Sequence, residues 1–179
     1  ANTGGFGAAG RIDLRAGTLT LTGTDPATGQ RSRISSRALA GSGGQTGSLS
    51  LVVDGLLLLE PGALLSIAND AVVDVPADLV PTSISVQAGQ IGLAGAEITA
   101  AASGNARAGA ITLSTPGRLA AADSVIRTTA VDGDGGPIRL AAADGILLKD
   151  SAVTTSVLGT TNGNGGDITI VGRSLALAS

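Results

Sequence analysis

Apolar and polar residues alternate in short segments of this chain, and glycine precedes each of these segments. Residues 165–170 read GGDITI, residues 135–140 read GGPIRL and residues 108–113 read AGAITL. Apolar residues at every second position are typical of a β-strand that buries one face. No stretch combines helix caps with the apolar spacing of three and four residues that a helix shows. The pattern therefore predicts short strands joined by turns, with helix content near zero.

The alternating segments recur along the whole chain. Equivalent apolar positions are Ile12, Leu49, Ile84, Ile111, Ile138 and Ile168, and their spacing is wider in the first part of the chain than in the second. A recurrence of this kind is the signature of a solenoid, in which each repeat stacks on its neighbours. We therefore expect one all-β domain, a right-handed parallel β-helix of five to six coils. Residues 1–83 form longer, irregular coils in this interpretation, and residues 84–179 form regular coils of about 27–30 residues, a length typical of solenoid repeats.

The repeat also predicts which side chains fill the interior. Each regular coil holds three strands, and the strands of successive coils stack in parallel about 4.8 Å apart. Eight aliphatic residues are expected to point inward, namely Ile111, Leu113, Ile126, Ile138, Leu140, Val153, Ile168 and Ile170. Asp123 and Asp150 have the same separation in the chain as Ile111 and Ile138, so we expect both to lie at the same outer turn of successive coils.

The longer coils contain irregular features. The second coil, from residue 48 to about residue 82, is the most apolar part of the chain and includes four leucines at 56–59, which indicates an extra strand or a bulge. Residues 69–81 contain two prolines and three aspartates, and they indicate an excursion from the stack because proline cannot donate a ladder hydrogen bond. Arg31, Arg33 and Arg37 are interpreted as outward, solvated positions of a strand. A patch for an anionic ligand is the alternative interpretation of these arginines.

The composition fits a narrow, layered interior. The 179 residues include 28 glycines, but Phe6 is the only aromatic residue and Cys, Met, Trp, Tyr and His are absent. Small aliphatic side chains suit such an interior, and glycine suits its corners. The net charge is −3 and the cations are scattered, so the chain has no basic patch typical of nucleic-acid binding. Residues 1–10 lack the pattern of a signal peptide, and we expect any targeting region to lie outside this chain.

A polysaccharide lyase or hydrolase built on a β-helix is the main catalytic alternative. Such an enzyme needs a carboxylate pair or acidic metal ligands on one face, together with a base. The carboxylates of this chain are single residues in turns, apart from Asp132 and Asp134, and Lys149 is its only lysine. We therefore expect a protein that is not an enzyme and that has no catalytic residues and no cofactor.

Two long turns offer a candidate cation site. Asp132 precedes Asn162, and Asp134 precedes Asn164, by the same number of positions as Ile138 precedes Ile168. The oxygen atoms of these four side chains are therefore expected to stack on adjacent coils. A cluster of such oxygens offers the ligands that Ca²⁺ prefers. We expect a ladder of polar turn residues in water and no structural metal, with a calcium site as the alternative.

The repeats resemble those of a known family of exported bacterial proteins. The segments that carry the resemblance are DSVIRTTAVDGDGG at 123–136, DSAVTTSVLGTTNGNGG at 150–166, GNGGDITI at 163–170 and SLAL at 174–177. They are similar to the repeats of filamentous-haemagglutinin-type exoproteins of two-partner secretion systems, well over residues 84–179 and loosely over residues 1–83. The resemblance implies a right-handed parallel β-helix, export through an outer-membrane secretion pore, and a secreted or cell-surface adhesin or structural rod of a Gram-negative-type bacterium.

Two kinds of partner are expected from this interpretation. A host-surface receptor or glycan would contact the scattered arginines or residues 69–81. Residues 167–179 supply only two strands of a coil and residues 1–10 read as a closing turn, so the chain begins and ends within a coil. Uncapped ends present unpaired backbone groups. We therefore expect either an internal segment of a longer exoprotein or copies stacked head to tail in an extracellular filament.

Overall fold

The chain folds almost entirely into β-strands. The computed structural model of the protein describes residues 1–159 and 163–179. Within these ranges the only helical element is a 3₁₀ turn, Pro76–Asp78, and no helix is long and apolar enough to cross a bilayer. The strands in chain order are β1 (Asn2–Thr3), β2 (Ile12–Ala16), β3 (Leu19–Leu21), β4 (Arg33–Ala38), β5 (Leu49–Leu59), β6 (Leu64–Asn69), β7 (Ser83–Ala94), β8 (Glu97–Ala102), β9 (Ala110–Thr115), β10 (Arg118–Ala122), β11 (Val125–Ala130), β12 (Ile138–Ala142), β13 (Gly145–Lys149), β14 (Ala152–Val157), β15 (Ile168–Gly172) and β16 (Leu175–Ala178).

The strands stack on three faces, and each strand pairs in parallel with its equivalent in the neighbouring coil. Face I contains β2, the first half of β5, the first half of β7, β9, β12 and β15. Face II contains β3, the second halves of β5 and β7, β10, β13 and β16. Face III contains β1, β4, β6, β8, β11 and β14. The fold is a parallel β-solenoid of about five turns, which confirms the all-β repeat architecture.

The spacing of the repeats corresponds to the register of the stack. The paired positions on face I are Ile12 with Leu49, Leu49 with Ile84, Ile84 with Ile111, Ile111 with Ile138, and Ile138 with Ile168. Coils 1 to 5 are numbered from the first five of these positions. A slip of one residue would turn every apolar side chain of a strand toward solvent. The alternation of apolar residues therefore fixes the register across coils of different length.

The interior consists of aliphatic columns that run along the stack. One column on face III contains Ile34, Leu65, Ile98, Ile126 and Val153. Of the eight residues predicted to point inward, five are at most 1% exposed, namely Ile111, Leu113, Ile126, Ile138 and Leu140. Val153 and Ile170 are half-buried and pack against this core. Ile168 pairs with the buried Ile138 and so lies on the same inward side of face I, as predicted, but it is 44% exposed because β15 pairs with coil 5 on one side only.

A column of stacked glycines explains why a glycine precedes many of the face I strands. A Cβ atom on Gly136 would lie 1.9 Å from the carbonyl oxygen of Gly109, and one on Gly166 would lie 2.1 Å from that of Gly136. No carbon atom can approach an oxygen this closely without displacing it. Successive coils are therefore in backbone contact at the corner between faces III and I, where a residue without a side chain is required.

Asp123 and Asp150 lie at equivalent exposed turns between faces II and III, as predicted. Their φ angles are 50° and 46°. Gly62 and Gly95 occupy the equivalent position in coils 2 and 3, with φ angles of 88° and 55°. The left-handed conformation disfavours most side chains, whereas glycine and aspartate tolerate it. The left-handed conformation of this turn therefore favours glycine or aspartate at this position in coils 2 to 5.

Coil 1 is longer than the regular coils because it expands between faces II and III. Residues 22–32 connect β3 to β4, and an antiparallel bridge between Thr24 and Arg31 closes the loop. Arg31 consequently lies before β4 and is half-buried, which corrects the prediction that it is an outward residue of the strand. Arg33 and Arg37 do lie on β4 and are exposed, as predicted.

Glu97 ties coil 1 to coils 3 and 4. Its carboxylate forms ion pairs with Arg31 and, at 2.8 Å, with Arg127. Arg31 also donates hydrogen bonds to the carbonyl oxygens of Gly62 and Ala63, at 3.2 and 3.0 Å. The Glu97 side chain is only 21% exposed, so solvent screens these charges less than it screens surface pairs. These contacts join coils 1, 2, 3 and 4, and the group is named the strap.

Coil 2 is long because of a bulge and an excursion. The eleven residues of β5 shift register between Val53 and Leu56, just before the leucine run, where they pair with β7. A bulge was one of the two features predicted for the second coil. After β6, residues 70–82 leave the stack before β7 begins. This segment is named the excursion.

Candidate functional site

The excursion projects from the corner between faces III and I. It begins one residue later than predicted, because Asn69 is the last residue of β6 and its side chain is only 5% exposed. The segment contains the 3₁₀ turn Pro76–Asp78, whose first residue is proline. Proline suits this position because the first residues of a helical turn have no internal partner for an N–H group. Ser83 returns the chain to face I as the first residue of β7.

A small apolar cluster supports the excursion from beneath. Ala38, Ala71 and Val73 are buried together, and Leu79 packs against them. These contacts couple the loop to the end of β4 in coil 1. The excursion also exposes apolar side chains, with exposed fractions of 53–69% at Val72, Val75 and Val80, next to the exposed carboxylates of Asp74 and Asp78.

Two side-chain amides hold the excursion from opposite sides. Gln45 in coil 1 accepts a hydrogen bond from the N–H of Val80 at 2.9 Å and donates one to its carbonyl oxygen at 3.2 Å. Asn105 in coil 3 makes the same pair of bonds with Val73, at 2.9 and 2.7 Å. Each amide thus supplies the donor and the acceptor that a neighbouring strand would otherwise offer to the backbone of one loop residue.

A charged contact fixes the base of the excursion. Asp70 forms an ion pair with Arg37 of coil 1 and accepts a hydrogen bond from the Ser103 hydroxyl of coil 3 at 2.6 Å. The Asp70 side chain is only 13% exposed. The excursion is therefore anchored to the coils below and above it at its first residue as well as along its length.

A cleft of about 260 Å³ opens between the excursion and the corners of coils 3 and 4. It is named the upper cleft, since it faces the carboxyl-terminal coils. Residues 79–82 form one wall, and Ala106, Ala108 and Pro137 belong to the other. Aliphatic groups dominate the lining, and among the described residues that line it Arg107 is the only charged one. An apolar cleft with a few polar groups is the usual form of a ligand site.

A second cleft of about 470 Å³, named the lower cleft, lies on the other side of the arm formed by residues 80–82. Serine and threonine hydroxyls dominate its lining, at Thr46, Ser48, Ser50, Thr82, Ser83 and Ser85. Part of this polarity is used by the fold, since the Ser48 hydroxyl accepts a hydrogen bond from the N–H of Ser83 at 3.0 Å. Arg11 at its edge is paired with Asp13. The arm therefore separates an apolar, cationic cleft from a polar one.

The structure brings together two of the four residues of the predicted cation site. The N–H of Asn164 donates to a carboxylate oxygen of Asp134 at 3.0 Å, and the N–H of Gly135 donates to the Asn164 carbonyl at 2.8 Å. The other Asp134 oxygen lies 3.9 Å from the Arg107 guanidinium. Asp132 is exposed in the same turn, and Asn162 lies outside the described residues.

The geometry around Asp134 shows hydrogen bonds and a cation rather than a set of metal ligands. No group of three or more His, Cys, Asp or Glu side chains in residues 1–159 and 163–179 is placed to hold a metal ion. The expectation of a metal-free turn, and the calcium alternative, stay predictions. A calorimetric titration with Ca²⁺ tests them, since a saturable micromolar response that Asp134→Ala abolishes would establish the calcium site.

The repeat pattern does not predict the polar residues that shape the candidate site. Gln45 and Asn105 lie 35 and 32 residues from their partners Val80 and Val73, and neither position recurs from coil to coil. Both occur in loops composed mainly of glycine, alanine and serine. An isolated amide side chain in such a loop is the only sequence feature that points to them.

Comparisons of the chain with protein-family models, with curated proteins and with solved structures found no match. The functional interpretation therefore rests on the residues of the repeat and on the geometry of the excursion and its clefts.

Proposed function

We propose that this chain is part of a non-enzymatic rod of the filamentous-haemagglutinin type, which presents the excursion to a host receptor or glycan at the bacterial surface. The observation that supports the proposal is the contrast between five turns in one continuous register and one loop that is anchored to their side. Each coil of a solenoid contacts only its neighbours, so the stack gives length and stiffness. Loops held by a rigid scaffold commonly carry binding residues.

The charged residues of the stack support a structural role. Glu97 joins coils 1, 3 and 4 through Arg31 and Arg127, and Asp70 joins coil 2 to coil 1 through Arg37. A catalytic carboxylate must be free to exchange a proton or attack a substrate. Carboxylates that bridge successive coils instead lock the coils together, which favours a rod over an enzyme.

Export through an outer-membrane pore is proposed from the resemblance of the repeats. The residues that carry the resemblance include the glycine pair and the alternating strand at 165–170 and their equivalents one coil earlier. The same residues form the glycine corner and the beginning of the face I strands β15 and β12. A chain that folds by adding coils in sequence suits export in the unfolded state, because each coil pairs with the coil already in place.

Surface localisation tests the proposal in the bacterium that encodes the protein. We expect protease added to intact cells to remove the protein, and we expect removal of the outer-membrane pore to trap it inside. An antibody against the regular coils provides the readout, and a periplasmic marker provides the control for intact cells. A protein found only in the cytoplasm would refute the proposal.

A loop exchange tests the contact role of the excursion. In the variant, residues 103–109, the short connection of coil 3, replace residues 70–82. The matched control shortens the other long connection by deleting residues 26–29 at its tip, which keeps Arg31 and Thr24. We expect cells with the first variant to lose adhesion to host cells and cells with the control to retain it. Equal adhesion by the two variants would contradict the role of the excursion.

A further inference from the structure

The upper cleft has the chemistry of a site for a small acid with an apolar body. Leu79, Pro81, Ala108 and Pro137 contribute aliphatic surface, and Arg107 contributes a positive charge at the edge. We infer that the upper cleft binds an aliphatic carboxylate, with the carboxylate on the Arg107 guanidinium and the aliphatic group against the excursion. Its volume of about 260 Å³ is just below the range of about 300–1,000 Å³ for larger ligands. A branched short-chain acid or one terminal amino-acid residue suits this size.

Arg107 has hydrogen-bond donors available for a ligand. Its side chain is 68% exposed, and Asp134 is its one ion-pair partner among the described residues. The distance of 3.9 Å to that carboxylate is longer than a hydrogen bond. Guanidinium carries five N–H donors in a planar fork that fits a carboxylate with two parallel hydrogen bonds. Arg31 and Arg127 differ from Arg107, because Glu97 already engages both of them at hydrogen-bond distance.

Charge complementarity selects an anion over a neutral ligand at this cleft. Among the described lining residues no carboxylate opposes Arg107 inside the cleft, and Asp134 at its rim already accepts a hydrogen bond from Asn164. A ligand carboxylate can therefore approach the guanidinium from the cleft side, where none of the described lining residues carries a negative charge. The apolar wall then selects an aliphatic group over a polyhydroxylated one, because burying hydroxyl groups without partners is unfavourable.

Both walls of the upper cleft are fixed without a ligand. Gln45 holds the excursion wall at Val80 with two hydrogen bonds. The N–H of Ala110 donates to the carbonyl oxygen of Thr82 at 3.0 Å and so joins the two walls at the base. The N–H of Ala108 donates to the Asp134 carbonyl at 2.9 Å and holds the opposite wall to coil 4. A preformed site binds more tightly because less conformational freedom is lost on binding.

The inference deepens the proposed contact role of the excursion and rests on that role for its biological setting. Its test is independent, because it uses the purified 179-residue chain. A protein that is absent from the cell surface refutes the proposed function and leaves a positive titration intact. A negative titration refutes the ligand class and leaves surface localisation intact.

The experiment is an NMR titration of amide shifts with matched acid and amide probes. The probes are 4-methylpentanoate, 4-methylpentanamide, and the dipeptide acetyl-Ala-Leu with a free or an amidated terminus. We expect saturable shifts at Val80, Thr82 and Arg107, with the acid of each pair bound about tenfold more tightly than its amide, since one charge-assisted contact accounts for such a ratio. Tighter binding of the dipeptide acid identifies a peptide carboxyl terminus as the source. Tighter binding of 4-methylpentanoate identifies a free acid.

Two variants and two controls assign the binding to the upper cleft. Arg107→Gln is expected to abolish the preference for the acid, and Ala110→Leu is expected to fill the cleft and weaken both probes. The controls Arg118→Gln and Ala120→Leu make the same changes on β10 of face II and should leave binding unchanged. Amide dispersion in the spectrum of each variant verifies that it is folded.

Several outcomes would overturn the inference. Equal affinity for acid and amide, unchanged binding by Arg107→Gln, or shifts confined to residues outside the upper cleft would each contradict it. A preference for N-acetylneuraminate over 4-methylpentanoate would show that the cleft selects a sugar acid and would refute the aliphatic assignment. The absence of saturable shifts up to about 10 mM, a very weak affinity by ordinary standards, would refute binding altogether.

Discussion

Coils 1 and 2, at 12–48 and 49–83, are longer than coils 3, 4 and 5, at 84–110, 111–137 and 138–167, yet all of them pair in one register. The additional residues of coil 1 lie in the loop 22–32 between faces II and III. Those of coil 2 lie mainly in the excursion between faces III and I. The comparison shows that pairing between coils constrains the strands, whereas it does not constrain the length of the connections between faces.

The longer coils 1 and 2 are named the wide coils, and the shorter coils 3, 4 and 5 are named the narrow coils. The two kinds of coil place different physical requirements on their residues. In the narrow coils every second residue of most strands points into the core and the others face outward, so substitutions act on stability mainly at the inward positions and at the tight corners. In the wide coils the additional residues form loops whose contacts are with side chains of other coils. The upper cleft lies where the excursion meets the corners of coils 3 and 4, and this is where binding chemistry is expected.

The largest predicted effect compares two positions of one interior column. Ile126→Asp places a charge at a site in coil 4 that is 1% exposed, and we expect a loss of several kcal/mol in the free energy of unfolding. Ile34→Asp makes the same change in coil 1, where the residue is half-buried, and should cost less. Chemical denaturation of both variants measures the difference. An unchanged melting temperature for Ile126→Asp would show that the interior register is wrong.

A smaller effect is predicted for two glycines of one corner column. In Gly136→Ala the new methyl group meets the backbone of Gly109 at 1.9 Å, so we expect a loss of about 2–3 kcal/mol from overpacking. The matched control is Gly10→Ala, just before coil 1, where no atom lies within 4 Å of the added carbon. That change should stay within about 0.5 kcal/mol of the parent. Thermal unfolding of the pair decides whether the corner requires glycine, and equal losses would argue against backbone contact.

The ion pairs of Glu97 with Arg31 in coil 1 and Arg127 in coil 4 belong to the strap, and their loss is predicted to have an effect of intermediate size on stability. Glu97→Gln keeps the shape of the side chain but removes the charge that pairs with Arg31 and Arg127, and we expect a loss of about 1–2 kcal/mol. Asp13→Asn removes the partner of Arg11 in an exposed pair and should change stability by less than about 0.5 kcal/mol. Unfolding at low and at high salt separates the two cases. The strap is not stabilising if both substitutions have the same small effect.

The smallest effect concerns the loop of coil 1 and its response to acid. The hydroxyl of Thr28 and, to a smaller degree, the N–H of Ala27 donate to Asp25 and lower the pKa of this carboxyl below its usual value of 3.8. A pKa that is lower in the folded state adds stability above pH 3.8 that is lost as the pH falls below it. We expect Asp25→Asn to flatten the fall of the melting temperature below about pH 4, and Thr28→Ala to flatten it partly. An unchanged acid response would exclude this contribution.

The fold was predictable because the interior requires an apolar side chain at the same position of every coil. Ile84, Ile111 and Ile138 occupy the same place in successive coils, so the same kind of side chain recurs at the coil length and reveals the register. Asp123 and Asp150 were placed correctly for the same reason. Their left-handed conformation was not predicted, because aspartate is common in turns of several types.

The candidate site was less predictable because its contacts do not repeat. Two prolines and three aspartates marked residues 69–81 as irregular, but they carried no information about the path of the loop. Gln45 and Asn105 bind backbone groups in other coils, so their role depends on a conformation that the sequence pattern does not encode. Arg31 was misplaced because the bridge to Thr24, and not strand periodicity, determines its position.

The amide pairs at Gln45 and Asn105 mean that the course of the excursion is determined largely outside the excursion. Both side chains bind a backbone N–H and a backbone carbonyl, which every residue except proline possesses, so these contacts do not depend on the side chains between Val73 and Val80. Natural variation can therefore diversify the exposed side chains of the loop while its path stays constant. For the same reason, residues 70–82 cannot be transferred alone to another solenoid. The recipient must also carry a glutamine in the coil below the loop and an asparagine in the coil above it.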